Sequence, residues 1–202
     1  MNDSVALGFD GLSIPVGTHV CALFRGLVER DEILVPFLAE GIRAGHKCTC
    51  IIDDGVDAVR VALGVEPGLP ASDDLHQFET RSSKETYLRR GEFSTQEMLD
   101  FWDESVGDAV NTQGYPFVRS AGETTWTLSE LPGLRDFLTY EAALNRFLPR
   151  YPQVIMCLYD LDRFGGKILV DILKTHPVVL MGGTVLENLY YLEPDEFLAN
   201  RE

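Results

Sequence analysis

The sequence predicts an α/β fold, a mostly parallel β-sheet flanked by helices on both faces. Three observations carry this. Short apolar, β-branched runs recur along the chain and read as strands. Segments with helical spacing lie between them, and strict alternation of the two implies crossover connections and a parallel sheet covered on both sides. The 202 residues suffice for one medium domain with a substantial core.

Thr18–Phe24 is the first strand. A helix follows, with Leu34, Phe37, Leu38 and Ile42 as its apolar stripe and Gly45 as its stop. Pro36 fits best in or just after that helix's first turn, where a missing N–H costs little. Lys47–Asp53 is the second strand, and Val56–Leu63 a short helix ended by Gly64 and Pro67. Gly64–Asp74 is a loop, too short for a domain linker. Leu75–Thr80 is the third strand. Thr95–Asn111 is a helix carrying Met98, Leu99, Trp102, Val106 and Val110, capped by Ser94 with Glu97 three residues on. Strands Phe117–Ala121, Gln153–Tyr159 and Val178–Met181 then alternate with helices Gly133–Leu148 and Gly165–Lys174. No internal repeat or low-complexity tract interrupts the pattern, so 1–202 reads as one domain with its core at about 17–198.

Lysine and arginine number 17 and aspartate and glutamate 32, a net charge of −15. Such a surface repels phosphate backbones, and no basic patch offsets it: Arg89-Arg90, with Lys84 nearby, is flanked by acids. Direct nucleic-acid binding is therefore not expected. The start of the chain lacks a basic region followed by an apolar run, and no apolar window is long enough to span a bilayer. Cys21, Cys48, Cys50 and Cys157 sit inside strand-like runs, without zinc-finger spacing or a disulfide framework. A reducing cytoplasm suits them.

The first strand-to-helix turn, Phe24-Arg25-Gly26-Leu27, has neither a phosphate-loop lysine nor a G-x-G-x-x-G run. Arg25 there is either an anion contact at the helix start or a solvated loop side chain. Asp53-Asp54-Gly55 ends the second strand, where an acid holds a ribose or a metal-bound water, or caps the next helix; capping is the stronger reading. Asp160 and Asp162 are either Mg²⁺ ligands or caps of the helix from Gly165. "FVRSAGETTWTL" places Arg119, Glu123 and Trp126 at the end of a strand and just after it. That is the carboxyl edge of the sheet, where ligands bind in open α/β folds. The same letters also fit a buried Arg–Glu pair with Trp126 as packing. The four histidines lack metal-site spacing, and no nucleophile turn of the G-x-S-x-G kind exists. No catalytic, metal or cofactor site is expected from these motifs.

In order along the chain, "THVCALF", "PFLAEGIRAGHKCTCIIDD", "TYLRRGEF", "VRSAGETTW", "YEAALNRF", "MCLYDLDRF" and "THPVVLMGGTVLENLYYLEPDEFL" resemble the MEDS domain, a sensory domain of methanogen and methylotroph signalling proteins. The resemblance covers roughly Gly17 to Leu198. It implies a fold similar to RecA-like ATPase cores, a three-layer sandwich that has lost its phosphate loop. It also implies sensing of small molecules such as hydrocarbon derivatives. The family positions it carries across are His19, Arg119, Glu123, Trp126, Glu141, Tyr159, His176, Asn188 and Tyr191.

The leading expectation is a stand-alone, non-catalytic sensory or regulatory domain. It would bind a small molecule through Arg25, Arg119, Glu123, Trp126, Tyr159 and His176 and signal through a protein partner such as a kinase or a transcription regulator. The alternatives are a degenerate RecA-type nucleotide-binding protein or ATPase, suggested by the strand-end aspartates, and a ligand-free interaction module that assembles as a homo-oligomer.

Overall fold

A computed structural model describes residues 4–200 apart from 10, 71–74 and 129–133. Two short strands, β1 (Ser4–Ala6) and β2 (Ser13–Pro15), pair antiparallel at the start. The main sheet is built from β3 (His19–Phe24), β4 (Lys47–Ile51), β5 (Phe78–Arg81), β6 (Val118–Glu123), β7 (Gln153–Asp160), β8 (Val178–Met181) and β9 (Thr184–Glu187). Its spatial order is β5-β4-β6-β7-β3-β8-β9, and every neighbouring pair is parallel except β8–β9. The helices are α1 (Gly26–Arg43), α2 (Val56–Val65), α3 (Ser83–Thr86), α4 (Thr95–Asn111), α5 (Leu134–Phe147), α6 (Gly166–Leu173) and α7 (Pro194–Ala199).

All eight residues of β7 are buried, as a central strand covered on both faces requires. Its side chains divide between two cores by the two-residue period of a strand. Val154, Met156 and Leu158 pack with Ile33, Leu34, Phe37 and Leu38 of α1 and with Val59 and Leu63 of α2. Ile155, Cys157 and Tyr159 pack with Met98, Phe101 and Trp102 of α4, Phe137 and Tyr140 of α5, and Ile172 of α6. The expected α/β sandwich with helices on both faces is therefore the observed one.

Several local expectations are corrected. α1 begins at Gly26, so Pro36 lies deep inside the helix rather than in its first turn. At that point Gly8 packs so closely that a Cβ on it would stand 2.1 Å from the Pro36 carbonyl oxygen. Asp53 does not cap α2, whose N-cap is Gly55 without a side-chain bond. Instead its carboxylate accepts from the backbone N–H and hydroxyl of Ser83 at the start of α3. Asp160 does not cap α6 either; it accepts from the Asp162 N–H at 3.0 Å and closes its own turn. β6 runs on to Glu123, two residues beyond the expected end. Ser94 does cap α4, accepting from the Glu97 N–H. The expected helix start at Gly133 and the last part of the Gly64–Asp74 loop lie outside the described residues.

Strands β1, β2 and β9 and helices α3 and α7 were not expected. For β9 a signal existed. Gly182 and Gly183 take φ of 55° and 72°, the left-handed pair of a two-residue hairpin turn between two apolar runs.

Candidate functional site

The start of α1 is where a nucleotide fold holds phosphate. Here carboxylates of the same chain stand at its amides. The Arg25 N–H donates to Glu29 Oε2 at 2.7 Å, and Asp160 Oδ1 lies 3.5 Å from the Gly26 nitrogen. Groups that would attract an anion are thus shielded by negative charge, and Arg25 in this turn is exposed. Beside it, at the carboxyl end of β3 and β8, opens a cleft of about 380 Å³ lined by Phe9, Leu23, Glu29, Glu32, Ile33 and the Gly182-Gly183 turn. Its floor is apolar and its charge negative.

Arg119, Glu123 and Trp126 do not form one group. Arg119 is at the beginning of β6 and Glu123 at its end, about 13 Å apart at roughly 3.3 Å per residue. Arg119 is buried against α1. It donates to the Ala6 carbonyl at 2.6 Å and to His46 Nδ1 at 3.1 Å, and stacks over the Phe37 ring. Gly41 makes room for it, since a Cβ there would meet Arg119 Cδ at 2.5 Å. Glu123 pairs instead with the fully buried Arg30 of α1, at 3.0 Å. Trp126 lies on the opposite face of the sheet, stacked on Tyr87 and packed against Phe93 and Phe137.

Burial, and then the Arg119 charge, hold the His46 imidazole down to about 4. His46 is therefore neutral in the fold at pH 6 and must stay so. Between pH 6.5 and 4 the unfolded chain binds this proton and the folded chain does not, so stability falls as pH falls through that window. Urea unfolding at pH 7 and pH 4.5 should show a smaller difference in His46→Gln than in wild type. Equal differences would remove His46 as the cause.

The remaining two expected site residues do converge. Tyr159 of β7 and His176, in the turn before β8, meet His19 of β3, Cys157 of β7 and Glu141 of α5 in a centre closed to solvent. Glu141 Oε2 accepts from the Tyr159 hydroxyl at 2.8 Å. It lies 3.1 Å from His176 Nε2 and 3.5 Å from His19 Nε2. His19 Nε2 is in turn 3.3 Å from Cys157 Sγ, and the two imidazoles are tilted by 34° with centroids 3.9 Å apart. Burial, with the neighbouring His176, lowers the His19 pKa; burial, with Glu141, raises those of Cys157 and Tyr159. The turn carrying His176 is pinned by Asn188, which donates to the Leu173 and His176 carbonyls at 2.6 and 2.8 Å, and by Asn145, which donates to Thr175 O at 2.8 Å.

Linear spacing predicted no such cluster, because its members come from three elements and a turn, and His19 and Cys157 are 138 residues apart. Parallel pairing brings them together: β3 and β7 run side by side with Cys21 opposite Cys157, so His19, Cys157 and Tyr159 line one face. Cys157, absent from the expected site residues, was hidden as an apparent core hydrophobe in an apolar run.

Among the described residues no helix is long and apolar enough to cross a membrane. In its fold the chain is similar to a KaiC-like protein from Pyrococcus horikoshii, with TM-score 0.56 at 11% identity, over 88% of this chain and 79% of that one. In sequence it is 29% identical over 171 residues to the "Transcriptional repressor DcmR" of Methylorubrum extorquens, covering 82% of this chain and 60% of that protein. The family model of the methanogen/methylotroph, DcmR sensory domain matches residues 18–177, a span that takes in β3, the whole buried centre and the sheet between them. The chain belongs to that family, the MEDS sensory domains.

Proposed function

We propose that the chain is a non-catalytic sensory domain that binds a small uncharged or cationic molecule and reports it through contact with a protein partner. The edge cleft carries this reading: it occupies the nucleotide end of the sheet, is acidic and partly apolar, and lies beside helix amides already facing carboxylates. These features disfavour nucleotide phosphates and suit compact molecules with apolar surface. One cleft wall is the Gly182-Gly183 turn. The exposed Met181, Leu186, Leu189 and Tyr190 lie on or just beyond that hairpin. A molecule that favours one hairpin position shifts what this surface offers a partner by its differential affinity for the two states. The repressor relative supports an output in transcription, through a regulator or a signalling kinase, and four free, buried cysteines support a cytoplasmic setting.

The test is a thermal-shift screen with short alcohols, amines and haloalkanes, with Mg-ATP alongside. Expected is stabilisation by members of the panel that is lost in Leu23→Trp or Ile33→Trp, which fill the cleft, and no shift with Mg-ATP. Micromolar Mg-ATP binding by calorimetry would restore the nucleotide reading. A panel without effect would end the sensing one.

A further inference from the structure

We propose that His19, Glu141, Cys157 and His176 form a binding site for one divalent transition-metal ion of the zinc type. The site is separate from the edge cleft and does not depend on the sensing reading.

The first observation is geometric. One donor atom from each residue lies within 4.8 Å of the others, and all four residues are buried. Tetrahedral zinc with bonds of about 2.0–2.3 Å sets its donors roughly 3.3–3.7 Å apart. Three of the six separations, Glu141 Oε2 to His176 Nε2 at 3.1 Å, His19 Nε2 to Cys157 Sγ at 3.3 Å and Glu141 Oε2 to His19 Nε2 at 3.5 Å, are close to that size, and Cys157 Sγ lies 3.9 Å from Glu141 Oε1.

The second is proton bookkeeping. His176 Nδ1 faces the Ile172 carbonyl at 2.8 Å and the Thr175 hydroxyl oxygen at 3.0 Å. The Thr175 hydroxyl spends its own hydrogen on that same carbonyl, at 2.8 Å. Both neighbours therefore act as acceptors, and Nδ1 carries the hydrogen. In a ring with that single hydrogen, Nε2 is a fully buried lone pair 3.1 Å from a carboxylate oxygen and, among the described residues, without a hydrogen-bond partner. Two electron-rich atoms at that distance in a dry interior need a positive charge between them, either a second proton on the imidazole or a metal ion. Among the described residues no lysine or arginine is paired with Glu141. A metal ion supplies that charge. Cys157 Sγ, 3.3 Å from His19 Nε2, would join as the thiolate, its proton leaving to solvent as the ion enters.

The third is the surrounding support. Metal-bound imidazoles and carboxylates are commonly oriented by partners on their far side. Here the Thr175 and Ile172 acceptors orient His176 in that way, while Tyr159 donates to the ligating oxygen, Glu141 Oε2, itself. Two imidazoles, a thiolate and a carboxylate suit zinc and its softer neighbours over magnesium or calcium. With four protein donors the site is closed, which fits a structural or regulatory ion.

The whole chain, without a histidine tag, should be produced in minimal medium with cobalt or zinc so that the ion is present as the centre closes. Expected is one equivalent of metal per chain. The cobalt form should show tetrahedral visible bands and a thiolate-to-cobalt charge-transfer band. Cys157→Ser should lose the charge-transfer band, His176→Gln should lose stoichiometric metal, and Tyr159→Phe should weaken zinc about 10–100-fold against a chromophoric chelator. Leu23→Trp should retain full metal content, which separates this site from the cleft. If the ligand variants do not fold, wild type decides: chelation in mild urea should lower the unfolding midpoint and zinc should restore it. Substoichiometric metal in wild type, the same cobalt spectrum in Cys157→Ser, or a midpoint indifferent to chelation would each overturn the proposal, whatever the ligand screen shows.

Discussion

Replacing Arg30 with alanine is expected to lower the free energy of unfolding by about 3–5 kcal/mol, the range for breaking a buried ion pair from one side. Arg30 is fully buried, yet it ties together three elements. Its guanidinium bonds Asp31 at 2.8–2.9 Å, Glu123 at 3.0 Å and the Asp54 carbonyl at 2.8 Å. Alanine would leave Glu123, itself 9% exposed, with the Thr125 hydroxyl as its one side-chain partner among the described residues. Gly55 belongs to the same arrangement, because a Cβ there would stand 2.7 Å from an Arg30 nitrogen. The control is the double variant Arg30→Met with Glu123→Leu, which removes both charges and should recover most of the loss. Urea unfolding of the two proteins checks it. A single variant within 1 kcal/mol of wild type, on the order of a surface pair, would show that the network is solvated in solution.

Trp126→Ala is expected to cost about 3–5 kcal/mol, the usual price of emptying a large aromatic from a core. The indole stacks on Tyr87 at 4.9 Å and contacts Phe93 and Phe137 at 5.3 and 5.5 Å. Among the described residues its buried Nε1 has no hydrogen-bond partner, so toward them the ring acts as a hydrophobe. Trp126→Phe should therefore cost much less than alanine, near 1 kcal/mol. Thermal and urea unfolding give both numbers. The phenylalanine protein also tests the residue's expected part in ligand binding: if it keeps its fold and its response to the screen, Trp126 serves packing alone.

These two residues show what could be read from the sequence. Strands β3, β7 and β8 announce themselves as apolar runs, and α4 by its stripe and Ser94 cap, because those signals are local. β6 reads differently. Its Arg-Ser and closing Glu look like an exit to solvent, whereas all six of its residues are buried. Ending it at Ala121 gathered Arg119, Glu123 and Trp126 at one edge. The true strand puts two of them at opposite ends of one face and leaves the third on the other. Glu123's real partner lies 93 residues away, a distance no local pattern spans. The resemblance to a sensory family named Tyr159, His176, His19 and Glu141, but only the β3–β7 register shows that they share a centre with Cys157.

The carboxylates at the head of α1 have a consequence for what the domain ignores. Glu29 is four residues from the amide it occupies, and Asp160 is held nearby by the β3–β7 pairing. Groups tethered this way compete with free solutes at an effective concentration on the order of millimolar or above. ATP, GTP and inorganic phosphate would have to displace them and bear their repulsion as well. On the sensory reading proposed above, the response of the domain would thereby be uncoupled from the energy charge of the cell.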